Sequence, residues 1–259
     1  MKAYEVRAQA REALKGKWGK GALIILAYLA FSFALGFIAG IFGEDSLVYD
    51  LIEIATTIIQ VPISFGLVNA FVKLKRNEEV KSFDFLSLGF SNFKRAWGIG
   101  LSVVLKIIVP FIGLILGIVL IVGAIVSATA SSVLGGSAEP SIGLILVGLI
   151  LFLVSYIWMI LKSLYYSLTT FIAIDNPNMS SSEVVNESRR MMEGNRWKIF
   201  VLSLSFIGWI ILTVCTFGIG YFWVLPYMQI ASICFYESLL GKNENDISDN
   251  NNNDAIVEM

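Results

Sequence analysis

Two lysines lie inside stretches that are otherwise apolar, and this position makes them candidates for binding an anion. Lys106 lies in the segment 98–127, and Lys162 lies in the segment 142–174. A charged lysine at the centre of a membrane-spanning helix costs about 2.5–3.5 kcal/mol. No acidic residue is predicted at the same depth to offset that cost. The sequence therefore predicts a site for a lipid phosphate or another anion between these segments. The alternative is that both side chains extend to the headgroups for structural reasons alone.

Polar side chains also recur along single faces of other apolar segments. In the segment 51–72 they recur at every third or fourth position, which is the spacing of one helical face. Two interpretations remain open: hydrogen bonds between helices, worth about 0.6 kcal/mol each, or a polar cavity that admits water or a substrate. The candidate cavity residues are Glu53, Gln60, Ser64, Ser102, Tyr166 and Gln229.

The residue types needed for common catalytic sites are missing from the sequence. The chain contains no histidine, which excludes histidine-based acid–base catalysis and histidine-liganded zinc or haem. No phosphate-binding loop or nucleophile elbow occurs in a suitable context. We therefore predict no enzymatic activity, no catalytic or metal-binding residue and no cofactor. The formal charge of −1 also argues against binding to nucleic acid.

The composition identifies the elements that must position these residues as membrane helices. Of 259 residues, 56% are hydrophobic and 15% are charged, whereas soluble domains have about 25% charged residues. A helix crosses the hydrocarbon core with roughly 20 apolar residues. Six segments meet this requirement, and the predicted spans are 21–42, 51–72, 98–127, 142–174, 199–217 and 221–240.

The lysines and arginines indicate how these spans are oriented. Of the 19 basic residues, 17 lie before the first span, in the connections 73–97 and 175–198, or in the tail. The remaining two are the lysines inside spans, so the alternate connections carry none. Basic residues concentrate on the cytoplasmic side of membrane proteins. We therefore predict a multi-pass protein of the bacterial plasma membrane with both termini in the cytoplasm.

Three similar junctions indicate an internal repeat. Basic residues and a tryptophan precede the first, third and fifth spans, at Trp18, Trp97 and Trp197. Amphipathic stretches before the first and fifth spans, Tyr4 to Lys15 and Ser181 to Met192, predict helices on the membrane interface. The predicted fold is all-α, with six transmembrane helices arranged as three parallel hairpin repeats. Each hairpin follows a cytoplasmic interfacial helix.

Parts of the sequence resemble a known family. The opening ALKGKWG, up to Gly19, is one such part, and the run EGNRWKIFVLSLSFIGWIILTVCTFGIGYFWVLPY, from Glu193 to Tyr227, is the other. Together they resemble the DUF975 family of uncharacterised bacterial integral membrane proteins, over most of the chain up to about Leu240. The resemblance implies a multi-span fold. It implies no activity, cofactor or catalytic residue.

Two classes of function remain open for the predicted membrane domain, residues 1–240. In the first class the protein has a polar intramembrane cavity and is a transporter or a handler of lipids or amphipathic peptides. In the second class it is a non-transporting scaffold or regulator. A scaffold would bind anionic lipid or a partner through its basic cytoplasmic face. Membrane lipids are the expected partners, and the sequence leaves a substrate, a protein partner and the oligomeric state undetermined. Residues 241–259 are rich in Asn and Asp and predict a disordered polar cytoplasmic tail.

The predicted topology is testable with reporter fusions. Fusions after Gly43 and after Gly136 should report the exterior, because the connections there carry no basic residue. Fusions within 73–97 and 175–198 serve as controls and should report the cytoplasm. Cytoplasmic activity after either glycine would contradict the topology.

Overall fold

The computed structural model describes residues 2–43, 46–133 and 140–257, and within these ranges it contains helices and no strand. The all-α prediction is therefore confirmed for the described chain, while the connection around Gly136 lies outside it. The helices are α1 Ala3–Leu14, α2 Trp18–Ile41, α3 Leu47–Lys75, α4 Asp84–Ser91, α5 Phe93–Val133, α6 Ile142–Tyr165, α7 Thr169–Asp175, α8 Ser181–Met192, α9 Arg196–Leu204, α10 Ile207–Cys215 and α11 Tyr221–Val257.

Several of these helices could cross a membrane. Among the described residues, five helical segments are long and apolar enough, and they match the first five predicted spans in order. These segments are Trp18–Ile41, Leu47–Lys75, Phe93–Val133, Ile142–Asp175 and Arg196–Cys215. The chain therefore has the helices of a multi-pass membrane protein.

The sixth predicted span, 221–240, is helical but is not among the five. Pro226, Gln229 and several tyrosines make this part of α11 less apolar than the other spans. Its side chains are nevertheless well buried, with Tyr227 at 3% and Ile233 at 0% exposure. Helices α1, α2, α3 and α10 pack against α11, so much of its surface contacts protein.

The structure continues α11 to Val257, which lies within the segment 241–259 for which the composition predicts a disordered tail. After Gly241 the sequence contains no further glycine or proline to end a helix. The disorder of this segment stays a prediction.

Two of the predicted spans are interrupted. The segment 142–174 forms α6 and α7, which are separated by residues 166–168, and the segment 199–217 forms α9 and α10, which are separated at Ser205 and Phe206. Hydropathy does not reveal such breaks, because it depends on the side chains and not on the backbone conformation. Leu168 and Phe206, which border the breaks, keep helical φ and ψ angles. The first break places Lys162 in the last turn of α6.

The described chain forms two compact units, of which one spans Leu101–Ser167 and is called the hairpin unit here. In this unit α5 and α6 pack through small residues. A side chain added at Gly117 would lie 2.8 Å from the carbonyl oxygen of Gly148 and from the backbone nitrogen of Phe152. Gly36 and Gly40 of α2 are four residues apart, as Gly113 and Gly117 of α5 are. By contrast, side chains added at Gly36 and Gly40 would meet no described atom within 4 Å. Spacing alone therefore does not identify the helix contacts.

The second unit, called the main unit, contains the described residues before and after the hairpin unit. Its core includes the C-terminal part of α3, helix α7 and α11, which contribute the buried residues Phe71, Phe171 and Phe235. The ring of Phe171 stacks on that of Tyr236, with ring centroids 5.6 Å apart. Burial of each aromatic side chain contributes about 1.5–3 kcal/mol.

The predicted interfacial helices α1 and α8 form and are built alike. Each has 12 residues and begins where the carboxylate of its third residue, Glu5 or Glu183, accepts a hydrogen bond from the backbone N–H three positions earlier. Each is followed by a glycine with positive φ, Gly16 or Gly194, because the chain turns sharply into the next helix. Helix α1 packs against α11, and α8 packs against α7.

Helix α4 packs against α3, and the backbones of these two helices approach each other very closely. A side chain added at Gly66 of α3 would collide with the backbone of Phe85 and Gly89 in α4. One added at Gly89 would collide with the carbonyl of Pro62. The two backbones therefore touch, which only glycine permits.

Substituting Gly66→Ala should destabilise the protein, because backbone on both sides leaves the new methyl group no space. We expect a loss of at least about 2 kcal/mol in the free energy of unfolding in detergent. Gly40→Ala is the matched control, since its methyl group would enter open space and should leave stability unchanged or slightly higher. Equal stability of both variants would contradict the close packing of α3 and α4.

Candidate anion site and the polar contacts of the helices

Lys106 and Lys162 lie on the two antiparallel helices of the hairpin unit. Gly113 of α5 faces Ser155 of α6 so closely that a side chain on the glycine would collide with the serine hydroxyl. Lys106 lies seven residues before Gly113, and Lys162 lies seven residues after Ser155. Seven residues make about two helical turns. Both lysines therefore return to the facing sides of the helices and reach the same level.

The hairpin unit offers these two ammonium groups no carboxylate at their level. Between residues 101 and 167 the only Asp or Glu in the sequence is Glu139, which lies in the connection between α5 and α6, outside the described residues. Lys106 is exposed and Lys162 is half-buried. Within the described chain neither ammonium group makes a hydrogen bond or an ion pair. The arrangement is thus two positive charges at one level, without a counter-charge from the described part of the hairpin unit.

Two of the cavity candidates lie near this pair. Ser102 precedes Lys106 by four residues, and Tyr166 follows Lys162 by four, so the same register brings them to one level. Tyr166 is buried, at 9% exposure, and Ser102 is half-buried. They add hydroxyl groups one turn beyond the lysines.

The other four cavity candidates lie in the main unit and are not gathered at one place. Gln60 donates a hydrogen bond from Nε2 to the Tyr28 hydroxyl at 2.5 Å. Ser64 is exposed and bonds to the carbonyl of Val61 in its own helix. Glu53 is also exposed, and Gln229 is half-buried. A single polar cavity formed by all six residues stays a prediction.

Trp97 has a role that the sequence did not reveal. Its position before a span predicts an indole ring at the headgroup boundary, but its Nε1–H donates to the carbonyl of Ile58 in α3, at 3.0 Å. Four residues later in α3 stands Pro62, which has no N–H to donate to that carbonyl. The tryptophan therefore supplies the hydrogen bond that the proline removes from the helix.

Arg95 also bonds to backbone within the protein. Its guanidinium donates to the carbonyl oxygens of Ala173 and Asn176, at 3.2 and 2.5 Å, and to those of Pro177 and Met179, at 2.7 and 2.9 Å. These carbonyls lie at and beyond the end of α7, where a helix lacks its own donors. One arginine thus bonds to a carbonyl in the last turn of α7 and to three carbonyls just beyond it.

Ion pairs connect the ends of three helices in the main unit. Arg76, just after α3, forms a two-pronged bond to Asp175 of α7, at 2.8 and 2.9 Å. Hydrogen bonding to Asp175 raises the pKa of Arg76, so the guanidinium stays charged. Lys75 pairs with Glu237 of α11. The sequence contained these charges but gave no sign of the pairing, because the partners lie far apart in the chain.

The basic N-terminal segment is likewise bonded to the protein. Arg11 donates to the Tyr227 hydroxyl at 3.0 Å, and that hydroxyl donates to the carbonyl of Arg7. Arg7 in turn donates to the carbonyl of Ser205, at the break between α9 and α10. Lys17 donates to the carbonyl of Leu74. Several residues of the predicted basic face therefore position helices as well as carry charge.

A double-mutant cycle tests the role of Trp97. Trp97→Phe should cost about 1–3 kcal/mol in the free energy of unfolding in detergent, because the Ile58 carbonyl loses its donor. In a Pro62→Ala background the backbone N–H returns, and the same substitution should cost much less. An equal cost in both backgrounds would show that the indole acts by packing alone.

Comparison with protein families matches residues 1–243 to the family described as protein of unknown function (DUF975). No curated protein and no solved structure matches the chain. The matched range contains α1 to α10 and the first part of α11. The resemblance seen in the sequence is confirmed, and the chain belongs to the DUF975 family.

Proposed function

We propose that this protein binds anionic phospholipid inside the membrane, with a phosphate group held between α5 and α6 by Lys106 and Lys162. The observation that carries the proposal is the register of the hairpin unit, which brings both lysines to one level, while the described part of this unit contains no acidic residue. Charge–charge repulsion between two ammonium groups is stronger near hydrocarbon than in water. A phosphate group would neutralise both.

A lipid is the anion best suited to this position. Phospholipids are the abundant anions at the edge of the hydrocarbon core, and anionic lipids are enriched in the cytoplasmic leaflet. Long lysine side chains extend toward phosphates while their methylene groups remain in apolar surroundings. The exposure of Lys106 supports access from the lipid.

The proposed topology has six spans, with both termini in the cytoplasm of a bacterial cell. Five helical segments support it directly. For 221–240 the burial of α11 supports a span enclosed by other helices, because a helix that touches protein needs fewer apolar residues than one that faces lipid. The placement of 17 of the 19 basic residues supports the orientation.

The proposed fold contains three parallel repeats, each with an interfacial helix followed by a hairpin. The likeness of α1 and α8 supports the repeat. The packing order supports it too, since α4 packs on α3 and α8 on α7, while α1 packs on α11. In each case a proposed interfacial helix contacts the second helix of a hairpin. Helices α4 and α8 contact the hairpin that precedes them in the chain, and α1 contacts the last hairpin through α11.

A lipid-binding scaffold or regulator explains the contacts better than a transporter or an enzyme does. Gln60 and Trp97 bond across helices, and Ser64 bonds within its own helix, so these side chains serve packing. The proposal is therefore a binding function, with membrane lipids as partners.

Replacing both lysines tests the proposal. The variant Lys106→Met/Lys162→Met should bind anionic phospholipid about tenfold more weakly, because it loses two charge-assisted contacts. Native mass spectrometry of the purified protein titrated with phosphatidylglycerol measures the affinity. Stability in a neutral detergent should stay equal or rise, since two charges are removed from apolar helices.

Lys94→Met is the matched control, because Lys94 is an exposed lysine at the start of the same helix. It should leave the affinity near that of the parent. An unchanged affinity in the double variant would overturn the proposed site.

A further inference from the structure

We infer that a second site, in the main unit, binds the phosphate of a phospholipid headgroup in a basic cleft between the ends of α1 and α3. The inference relies on the proposed membrane orientation but not on the site formed by Lys106 and Lys162. The cleft has a volume of about 360 Å³ and is open on one side. Its polar lining residues are Gln9, Glu12, Lys15, Lys17, Lys75 and Asn77.

The charge of the cleft favours an anion. Three ammonium groups and one carboxylate line it, and Glu237 pairs with the Lys75 ammonium, which leaves an excess of one positive charge. The carboxylate, Glu12, lies 3.8 Å from the Lys15 ammonium, and both side chains are more than three-quarters exposed. Such an exposed pair contributes little stability, so Lys15 is available to a ligand at small cost.

The other two lysines are fixed in place by single contacts. The Lys17 ammonium donates to the carbonyl of Leu74, at 2.9 Å, and that of Lys75 pairs with Glu237. An ammonium group has three N–H donors, so each retains donors for a ligand. Because these contacts already hold both side chains, little rotamer entropy would be lost when a phosphate binds.

Two amide side chains add neutral donors. Gln9 is exposed on α1, and Asn77 follows α3 with a positive φ of 63°. Within the described residues neither side-chain amide makes a hydrogen bond. Lysines together with amides match a phosphate and the hydroxyl groups beside it.

The position of the cleft favours a lipid over a free phosphate. Lys15 and Lys17 immediately precede α2, which begins at Trp18, and Lys75 is the last residue of α3. The cleft therefore lies where two proposed spans leave the membrane, which is the layer of the headgroups. A volume of this size accommodates a phosphate with a small polar headgroup.

Charge changes at the exposed edge of the cleft test the inference. We would titrate Lys15→Glu and Gln9→Glu with short-chain phosphatidylglycerol in neutral detergent, and follow the rise in thermal stability. Both should weaken the apparent affinity at least tenfold. Ala8→Glu and Lys20→Glu are the matched controls, since both positions are exposed, lie nearby and do not line the cleft. They should bind like the parent, and equal weakening in the controls would show a general charge effect and overturn the site.

The source of the phosphate and the independence of this site are resolved in the same titration. Inorganic phosphate should bind much more weakly than the lipid, and equal affinity would assign the cleft to free phosphate and overturn the lipid inference. The Lys106→Met/Lys162→Met variant should still bind the lipid at the cleft. Adding Lys15→Glu to this variant should weaken that remaining binding phase. Loss of that phase in the Lys106→Met/Lys162→Met variant itself would contradict a separate site, whatever the result for the two intramembrane lysines.

Discussion

Polar groups in hydrocarbon must find partners within the protein or in the lipid headgroups, because the bilayer core supplies none. Much of this structure follows from that constraint. Pro62 leaves a carbonyl without a donor, and Trp97 supplies one. Beyond the proposed membrane core, where α7 ends, Arg95 in the same way bonds to several backbone carbonyls. Each of these contacts also fixes how two segments of the main unit pack together.

The basic residues have two roles under this constraint, which are to orient the protein in the membrane and to bond to polar groups of the protein. Lysines and arginines on one side of a membrane orient the protein, and this requires only their charge. In the main unit Arg7, Lys17 and Arg95 also donate to backbone carbonyls, while Arg76 pairs with Asp175. A lysine outside this internal network, such as the exposed Lys15, retains its charge for a ligand.

Sequence periodicity and composition predicted the elements of the fold much better than their contacts. Long apolar runs predicted the helical segments, and amphipathic patterns predicted α1 and α8, because both signals are local. The interruption after Tyr165 was not predicted, nor was the backbone contact of Gly66 with Gly89, because these depend on which segments meet. Gly36 and Gly40 illustrate the difficulty, since they have the four-residue spacing of helix contacts, yet a side chain added at either would meet no described atom within 4 Å.

For the candidate site, the sequence predicted the residues and the structure supplied their register. Lys106 and Lys162 lie at one level of an antiparallel pair, without a carboxylate beside them, and we propose that a lipid phosphate completes the site. Solid-state NMR can measure this directly in anionic bilayers, through the dipolar coupling between labelled lysine nitrogens and lipid phosphorus. The account predicts strong coupling between lipid phosphorus and the nitrogens of two lysines. One of these two signals should disappear in Lys106→Met and the other in Lys162→Met. Absence of coupling for these two signals would contradict it.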